Sequence, residues 1–563
     1  MRKTIGLATI LTVILFAVSS AEWTGTTSEQ TITYENLVDD SLEVRVATFC
    51  AAPDGDLYAV YAQTKSPSPY TRELYFSKST DGGRTWSGTA GDVMINADDG
   101  QIVYQSSNYE YIDMQVDSQG RIFVVWTEDY ERTGIREIML VYSTDYGTTW
   151  ENSTADVPVS NSTGIAYDAG KPAIAVDPND NLHAVWHQKT DSTYNTYEIC
   201  YSQSTDNGLT WTGQTADREI SFRNGLSAWD PDVDCDGLGN IYVIWREDAY
   251  SGGQDRIFFG KSTDGGTTFS SETADLPISL EYQETGAAQI HVDAFNNINV
   301  VYKGSEPSPN LTKLSLYTGS TDGGATWSGN SGLIYVDSGP GPDLDTWGVD
   351  ITSTSDGTLI AVYSQGPALH NNIWASYSTD LGATWSGSTN PDLVSYAGAV
   401  YNSHVPYIVT APGDTLHVIW RQKAETATKE DLFYSRGDTL ASGGSGCPHV
   451  VGDVNGSDNY NGLDITYGVA FFKGGSDPLC PDCPIGDCNT WHYCGDVNGS
   501  CNYNGLDITY GVAYFKGGAD PIFCPDCPPI VGPASIGNEF RPTEQPAVES
   551  KSKSKKESSL KRQ

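Results

Sequence analysis

Five hundred and sixty-three residues correspond to three or four average domains, although a unit built from repeats can use more than four hundred residues by itself. Acidic residues outnumber basic ones by 72 to 32, a formal charge of −40, which argues against nucleic acid as a partner. A 38% hydrophobic, 11% aromatic composition excludes disorder for the bulk of the chain, and 58 Gly with 27 Pro but only four Met predict many turns and few long helices.

The chain opens with Met1, Arg2 and Lys3, continues with an apolar run from Ile5 to Val18, and reaches Ser19-Ser20-Ala21 before Glu22. Charged, apolar and small-residue regions in that order predict a secretory signal over residues 1–21, cut after Ala21, with a retained N-terminal anchor as the alternative. No later segment approaches the roughly 20 apolar residues of a spanning helix, so the mature chain is expected to be exported, without a membrane span.

From residue 22 the sequence repeats. Ser79-Thr-Asp-Gly-Gly-Arg-Thr-Trp86 recurs as Ser143 to Trp150, Ser204 to Trp211, Ser262 to Phe269, Ser320 to Trp327 and Ser378 to Trp385, each reading Ser-x-Asp-x-Gly-x-Thr-aromatic. The aspartates Asp81, Asp145, Asp206, Asp264, Asp322 and Asp380 are 64, 61, 58, 58 and 58 residues apart. Within each unit, β-branched and aromatic runs such as Ile122 to Trp126, Leu182 to Trp186, Ile241 to Trp245 and Leu416 to Trp420 predict short strands, four to a unit, after turns such as Asp117-Ser-Gln-Gly120. In the repeated octapeptide, Ser and Asp can bond the backbone of their own turn, Gly supplies a positive φ and the aromatic packs between sheets, a structural staple that needs no catalysis.

These octapeptides resemble the Asp boxes of sialidases and other Asp-box β-propellers, over residues 22–440. The resemblance implies an all-β propeller. Strand counting predicts seven blades, where the sialidases have six: residues 404–435 supply inner strands without a box, and Glu22-Trp23-Thr-Gly25 with Thr31 to Tyr34 reads like the stretch that follows each box elsewhere, so an N-terminal strand is expected to complete the last blade and close the ring.

The blades run their first strands away from one rim and their second strands back to it, with the boxes on the opposite face. That rim is expected to carry Arg45, Asp113, Lys171, Asp230, Asp232, Asp350 and His404 at first-strand starts, and Glu128, Asp129, His187, Arg246, Glu247, Asp248 and Arg421 at second-strand ends. The sialidase resemblance implies three carboxylate-binding arginines. Arg45 occupies the first place, though without the family's flanking aromatic and proline, and Arg246 and Arg421 are the candidates for the others. The substrate-binding set is therefore Arg45, Arg246, Glu247 and Arg421, with no catalytic residue assigned. A paired-carboxylate glycoside hydrolase drawing on the rim acids and a binding propeller without turnover both stay open. Trp126, Trp186, Trp229, Trp245, Trp347 and Trp420 either stack on sugar rings or pack the core.

After the spacer at 441–446, Gly452 to Gly475 and Gly495 to Gly518 are near copies. Oxygen ligands fall at the spacing of an EF-hand-type calcium loop: Asp453, Asn455, Ser457, the Asn459 carbonyl, Asn461 and Asp464 in one copy, and Asp496, Asn498, Ser500, the Asn502 carbonyl, Asn504 and Asp507 in the other. Ile465, Val469 and Phe472 predict one face of a short following helix. A duplicated calcium loop, each followed by a single helix, resembles a dockerin module over residues 447–530, which implies two Ca²⁺ and a cohesin-bearing scaffold or cell surface as partner. The departure from Gly at loop position 6, where Asp458 and Cys501 stand, leaves a calcium-stapled structural appendage as the alternative. Eight cysteines between Cys447 and Cys527 predict a disulfide framework of unassigned pairing, and Zn²⁺ on Cys480, Cys483, Cys524 and Cys527 competes poorly with oxidation outside the cell. Cys50, Cys200 and Cys235 are expected as buried propeller thiols. The Lys-rich segment 531–563 is expected to be disordered.

The expectation is thus an exported, glycan-targeting propeller, a sialidase-like hydrolase or a non-catalytic binder of glycan or protein, carried to its partner by a calcium module.

Overall fold

The structure is a computed structural model. It describes residues 21–437, less short connecting stretches of which 34–43 is the longest, together with Val454, 462–473, Val497 and 505–516. Residues 1–20 of the predicted signal segment 1–21, the cysteine-rich stretches and the Lys-rich tail lie outside the described residues, as do ten of the twelve predicted calcium ligands. The chain divides into two compact units, 1–443 and 444–563.

The first unit is a seven-bladed β-propeller of seven antiparallel sheets. Blade 1 runs Val44–Ala51, Leu57–Pro67, Tyr70–Ser79 and Val93–Met94; blade 4 runs Ala228–Cys235, Ile241–Asp248, Asp255–Ser262 and Leu276–Pro277, and the others repeat this order. The repeat is less uniform than four strands per unit. Blade 5 has three strands (Gly286–Val292, Ile298–Ser305, Lys313–Ser320) with a Leu316–Tyr335 bridge in place of the outer strand, while blade 2 gains an extra strand, Ile102–Val103, against Asp129 and Glu128.

The second strands are apolar on both faces because each blade is sandwiched between two others, and the core is accordingly a series of seams. Ala173, Val185 and Tyr201 of blade 3 pack on Val233, Val243 and Trp245 of blade 4, for example. Inner strands are also pinned across seams by aspartate: Asp113 accepts from the Ile174 N–H at 2.9 Å, Asp232 from Ile290 at 2.9 Å and Asp350 from Ile408 at 2.8 Å. These three carboxylates, expected on the rim, therefore tie the inner strands of blades 2, 4 and 6 to those of blades 3, 5 and 7.

The octapeptides staple as their composition predicts. In the first, the Ser79 hydroxyl donates to Asp81 Oδ1 and accepts from the Gly83 N–H, both at 2.9 Å, while Asp81 Oδ2 accepts from the Thr85 hydroxyl at 2.7 Å. Gly83 has φ +84°, and a Cβ there would fall 1.7 Å from the Tyr434 hydroxyl of blade 7. The octapeptide is thus wedged against the preceding blade, where Trp86 meets Tyr434 edge-on at 5.3 Å.

The ring closes through the N-terminus. Gln30 and Thr31 pair antiparallel with Tyr434 and Phe433 as the outer strand of blade 7. Trp23 bridges Gly437 and donates its indole N–H to the Tyr377 hydroxyl at 3.1 Å. The pairing covers the edge that the third strand of blade 7 would otherwise expose, which is the physical reason for taking the last strand from the other end of the chain.

In the second unit, α1 (Gly462–Phe471) and α2 (Gly505–Tyr514) follow the two duplicated loops. Val454 is buried against Tyr467, Phe471 and Ile508, so the two copies share one small core. The packed face differs from the expected one by a residue: Phe472 is 40% exposed and Phe471 takes its place, because the helix ends at 471. Among the described residues no helix is long and apolar enough to cross a membrane.

Candidate functional site

Six of the seven first strands begin with a register break, and three of the breaks place a non-glycine residue at positive φ: Lys171 (+49°), Asp230 (+53°) and Val405 (+51°), between Gly170/Ala173, Trp229/Asp232 and His404/Tyr407. Each precedes a proline, at 172, 231 and 406. Left-handed backbone costs such residues about 1–2 kcal/mol, and strain of this kind clusters at functional sites.

Two of the three strained residues meet where blades 3 and 4 adjoin. Asp230, 5% exposed, receives Arg246 Nε at 3.3 Å on Oδ2 and Lys171 Nζ at 3.9 Å on Oδ1, while its backbone N–H donates to His187 Nδ1 at 3.4 Å. Arg246 also donates to Asp255 Oδ2 at 2.7 Å. Burial raises the Asp230 carboxyl, but Lys171, Arg246 and His187 outweigh it and hold the group below the ordinary aspartate value. Burial pushes the His187 imidazole down to about 4, so the ring is neutral at neutral pH, as its acceptor role requires.

An aromatic shelf adjoins this network. The Tyr197 and Trp229 rings lie 3.8 Å apart at 32°, and His187 stands edge-on to both, at 5.6 and 5.1 Å. The Tyr197 hydroxyl donates to Asp168 Oδ2 at 2.6 Å, and Arg136 of blade 2 holds the other oxygen of Asp168 at 2.9 Å. The arrangement sets a part-exposed, stacked aromatic pair beside paired donors and acceptors, the chemistry that a pyranose face and its hydroxyls need.

The other predicted rim residues divide. Arg421 belongs to a separate network in blade 7, 3.4 Å from Glu430, whose second oxygen meets His404 at 3.3 Å. Arg45 falls in the blade 1 first strand at the break between Val44 and Val46, and its side chain lies outside the described residues. Glu247 points to the opposite face from Arg246, as consecutive strand residues must. It accepts from the Trp245 indole at 3.3 Å and from Asn224 at 2.5 Å, and Asn224 also reaches Asp275 at 3.4 Å. Burial pushes both the Glu247 and Asp275 carboxyls up, Asp275 to about 7, where the neighbouring Glu247 adds to the rise. Glu128 likewise accepts from Trp126, at 3.2 Å. Trp126, Trp186, Trp245 and Trp420 are fully buried core, whereas Trp229 is part-exposed and Trp347, under Lys313 at 4.6 Å, is 43% exposed.

Tyr197, Asp255, Arg136 and Glu430 are absent from the sequence-based rim. Tyr197, Asp255 and Glu430 open third strands and Arg136 is the second residue of one, opposite Lys189, Asp248, Lys423 and Asp129 at the second-strand ends. The hairpin joining those strands brings the third-strand start to the same rim, a signal that was available in the sequence.

In the second unit, Asp464 and Asp507, the last predicted ligand of each calcium loop, are described. Both carboxylates are buried at 1% exposure at the start of a helix, and Asp507 Oδ1 accepts from the Val497 N–H at 3.2 Å. A buried carboxylate closing an oxygen-rich loop fits Ca²⁺. Among the described residues no cluster of three or more metal-binding side chains occurs. Cys50, Cys200 and Cys235 are free thiols, the first two buried and the third partly so.

No protein-family model matches the sequence, and no curated protein matches it. Solved structures are similar to this chain at low identity. An ulvan lyase described as a new family of polysaccharide lyase is similar at 12% identity and a TM-score of 0.49, over 72% of this chain and 95% of its own. The α-L-arabinofuranosidase Arb93A of Fusarium graminearum is similar at 13% and 0.42, over 74% and 99%. A Trypanosoma rangeli sialidase is similar at 12% and 0.39, over 61% of this chain and 56% of its own.

Proposed function

We propose that the propeller is a glycan-targeting protein whose site is the rim where blades 3 and 4 adjoin, a sugar ring packing on the outer face of Trp229, which Tyr197 backs, and its hydroxyls meeting Asp230, Arg246 and Lys171. The observation that carries this reading is the 3.8 Å Tyr197–Trp229 shelf directly beside that charged network. Arg246 is shared between Asp230 and Asp255, and Arg421 is paired with Glu430, so neither presents the bare guanidinium that a carboxylate clamp requires, and a sialoside is the less favoured ligand. The test is saturable binding and turnover of a panel of neutral and acidic oligosaccharides, aryl glycosides and sialosides included. Trp229→Ala is expected to weaken the best ligand at least tenfold, the usual worth of one stacked ring. Unchanged affinity in Trp229→Ala, or no ligand anywhere on the panel, overturns the reading. Product formation that is lost in Arg246→Ala would make the site that of a glycoside hydrolase.

The second unit is proposed to be a dockerin-like module that binds two Ca²⁺ and carries the exported propeller to a cohesin-type or cell-surface partner. The buried Asp464 and Asp507 support the calcium part. Chelation of the full-length protein is expected to lower the melting of this unit by several degrees, and Asp464→Ala with Asp507→Ala to abolish the response, since ion-binding energy is folding energy in so small a unit. A melt indifferent to chelator sinks the proposal.

A further inference from the structure

The Arg246–Asp255 pair of blade 4 has a counterpart in blade 7. Arg421 stands where Arg246 does, opposite the residue that precedes the register break, His404 in one blade and Trp229 in the other. Each arginine reaches an acid nine residues further on, Glu430 or Asp255, at the start of the third strand. Arg421 Nη1 lies 3.4 Å from Glu430 Oε2, and His404 Nε2 lies 3.3 Å from the other oxygen. The His404 and Glu430 side chains are both partly exposed, so this network reaches the surface.

Trp347 stands at the neighbouring strand start. It is the first of the two residues in the blade 6 register break, the place that Lys171, Asp230 and Val405 take in blades 3, 4 and 7. The second residue of the break is proline in those three blades and Gly348 in blade 6, where a Cβ would fall 3.0 Å from the Val405 Cα and 3.3 Å from the Pro406 Cδ. The breaks of blades 6 and 7 are therefore pressed backbone to backbone, as Lys171 and Asp230 meet where blades 3 and 4 adjoin. The Ser403 N–H ties the same junction by donating to the Asn371 carbonyl of blade 6 at 3.0 Å. Lys313 Nζ of blade 5 stands over the Trp347 ring at 4.6 Å, yet Trp347 is the most exposed tryptophan among the described residues. A large ring left in water on a braced backbone is suited to stacking.

Resting on the glycan reading proposed above, we infer that Trp347 with His404, Glu430 and Arg421 forms a second sugar subsite, and that the ligand of this rim is an oligosaccharide crossing blade 5 from Trp229 to Trp347. Each subsite has the same parts: a solvent-facing ring at a first-strand start, and beside it an arginine–carboxylate pair whose remaining donors and acceptors meet hydroxyls. The break of blade 5, which lies between them from Gly286 to Gln289, holds two alanines and no long side chain. With packed sheets about 10 Å apart, platforms two blades apart are beyond the reach of one ring. A longer chain therefore gains from both platforms, whereas a disaccharide gains from one.

The test titrates the full-length protein with disaccharides and hexasaccharides cut from xylan, cellulose, mannan and polygalacturonate, each length compared within one chemistry. The hexasaccharide of the preferred series is expected to bind about tenfold more tightly than its disaccharide, the worth of one further stacked ring. Trp347→Ala should erase that gain and leave the disaccharide affinity as it was, Trp347→Phe should keep most of the gain, and Trp229→Ala should weaken both lengths. Because the side chain is exposed, Trp347→Ala should leave the melting temperature unchanged. If Trp347→Ala binds the hexasaccharide like wild type, or weakens the disaccharide to the same extent, the second subsite is overturned while the blade 3 and 4 site stands on the Trp229→Ala result. Unchanged binding in Trp229→Ala overturns the parent reading and the span with it, as does a panel on which nothing binds.

Discussion

Trp245→Ala is expected to cost about 3–5 kcal/mol and to lower the melting temperature of the propeller by roughly 5–10 °C, a loss as large as any single substitution in the chain should give. Trp245 is fully buried in the seam between blades 3 and 4, stacks against Phe258 at 6.3 Å, and donates its indole N–H to Glu247 at 3.3 Å. Truncation leaves a cavity between two sheets that are fixed by the rest of the ring and cannot close on it. Trp245→Phe should cost much less, about 1–2 kcal/mol, since a ring still fills the seam and only the indole N–H bond is lost. Thermal melts of the two variants decide the matter, and equal losses would show that the bond to Glu247, and not the ring, is what holds the seam. The same geometry recurs at Trp186 with Gln188 and at Trp420 with Gln422, at 2.7 and 3.0 Å, so the effect should transfer to those blades.

That recurrence explains how far the sequence could be read. Octapeptide spacing, second-strand apolar runs and the orphan Trp23 segment each follow from one repeated local geometry, and together they specified seven blades and their closure. The site is not repeated, and its parts are less legible. Lys171, Asp230, His187 and Arg246 follow from counting strand ends, whereas Tyr197 and Asp255 stand at third-strand starts, which that count leaves out. Arg246 and Glu247 look like one candidate pair on paper. Their opposite orientation in the strand sends one to Asp230 and Asp255 and the other to Trp245 and Asn224. Which of six rim tryptophans would be exposed was equally hidden, since Trp229 and Trp347 differ from the buried four only in lying at a first-strand start, not inside a second strand.

The Glu247 side of that strand carries the second large effect, a dependence of stability on pH. Burial pushes the Glu198 carboxyl, which accepts from the Ser221 hydroxyl at 2.8 Å, up to about 8, and Glu247 and Asp275 are displaced in the same direction. An acid whose folded value is raised contributes stability that is complete below its unfolded value, near 4.3, and is lost as pH rises through the folded value. His187, His291 and His417 work the other way: burial depresses them to about 4, 4 and 3, so their contribution is present above the unfolded value near 6.5 and is lost as pH falls. Below pH 6.5 the two sets oppose each other, and above it only the carboxyls change. Between pH 6.5 and 8.5 the propeller is therefore expected to lose stability on the order of a few kcal/mol, seen as a falling melting temperature. Blade 3 supplies the control. There Gln188 occupies the place of Glu247, accepting from Trp186 and donating its amide to Asp217 at 2.8 Å. Glu247→Gln should reproduce that bond toward Asp275, stabilise the protein at pH 8 and, combined with Glu198→Gln, flatten the profile. A wild-type melting temperature that does not move over this range would mean that these carboxyls are already ionised in the fold and that the hydrogen bonds from Ser221 and Asn224 suffice to hold them.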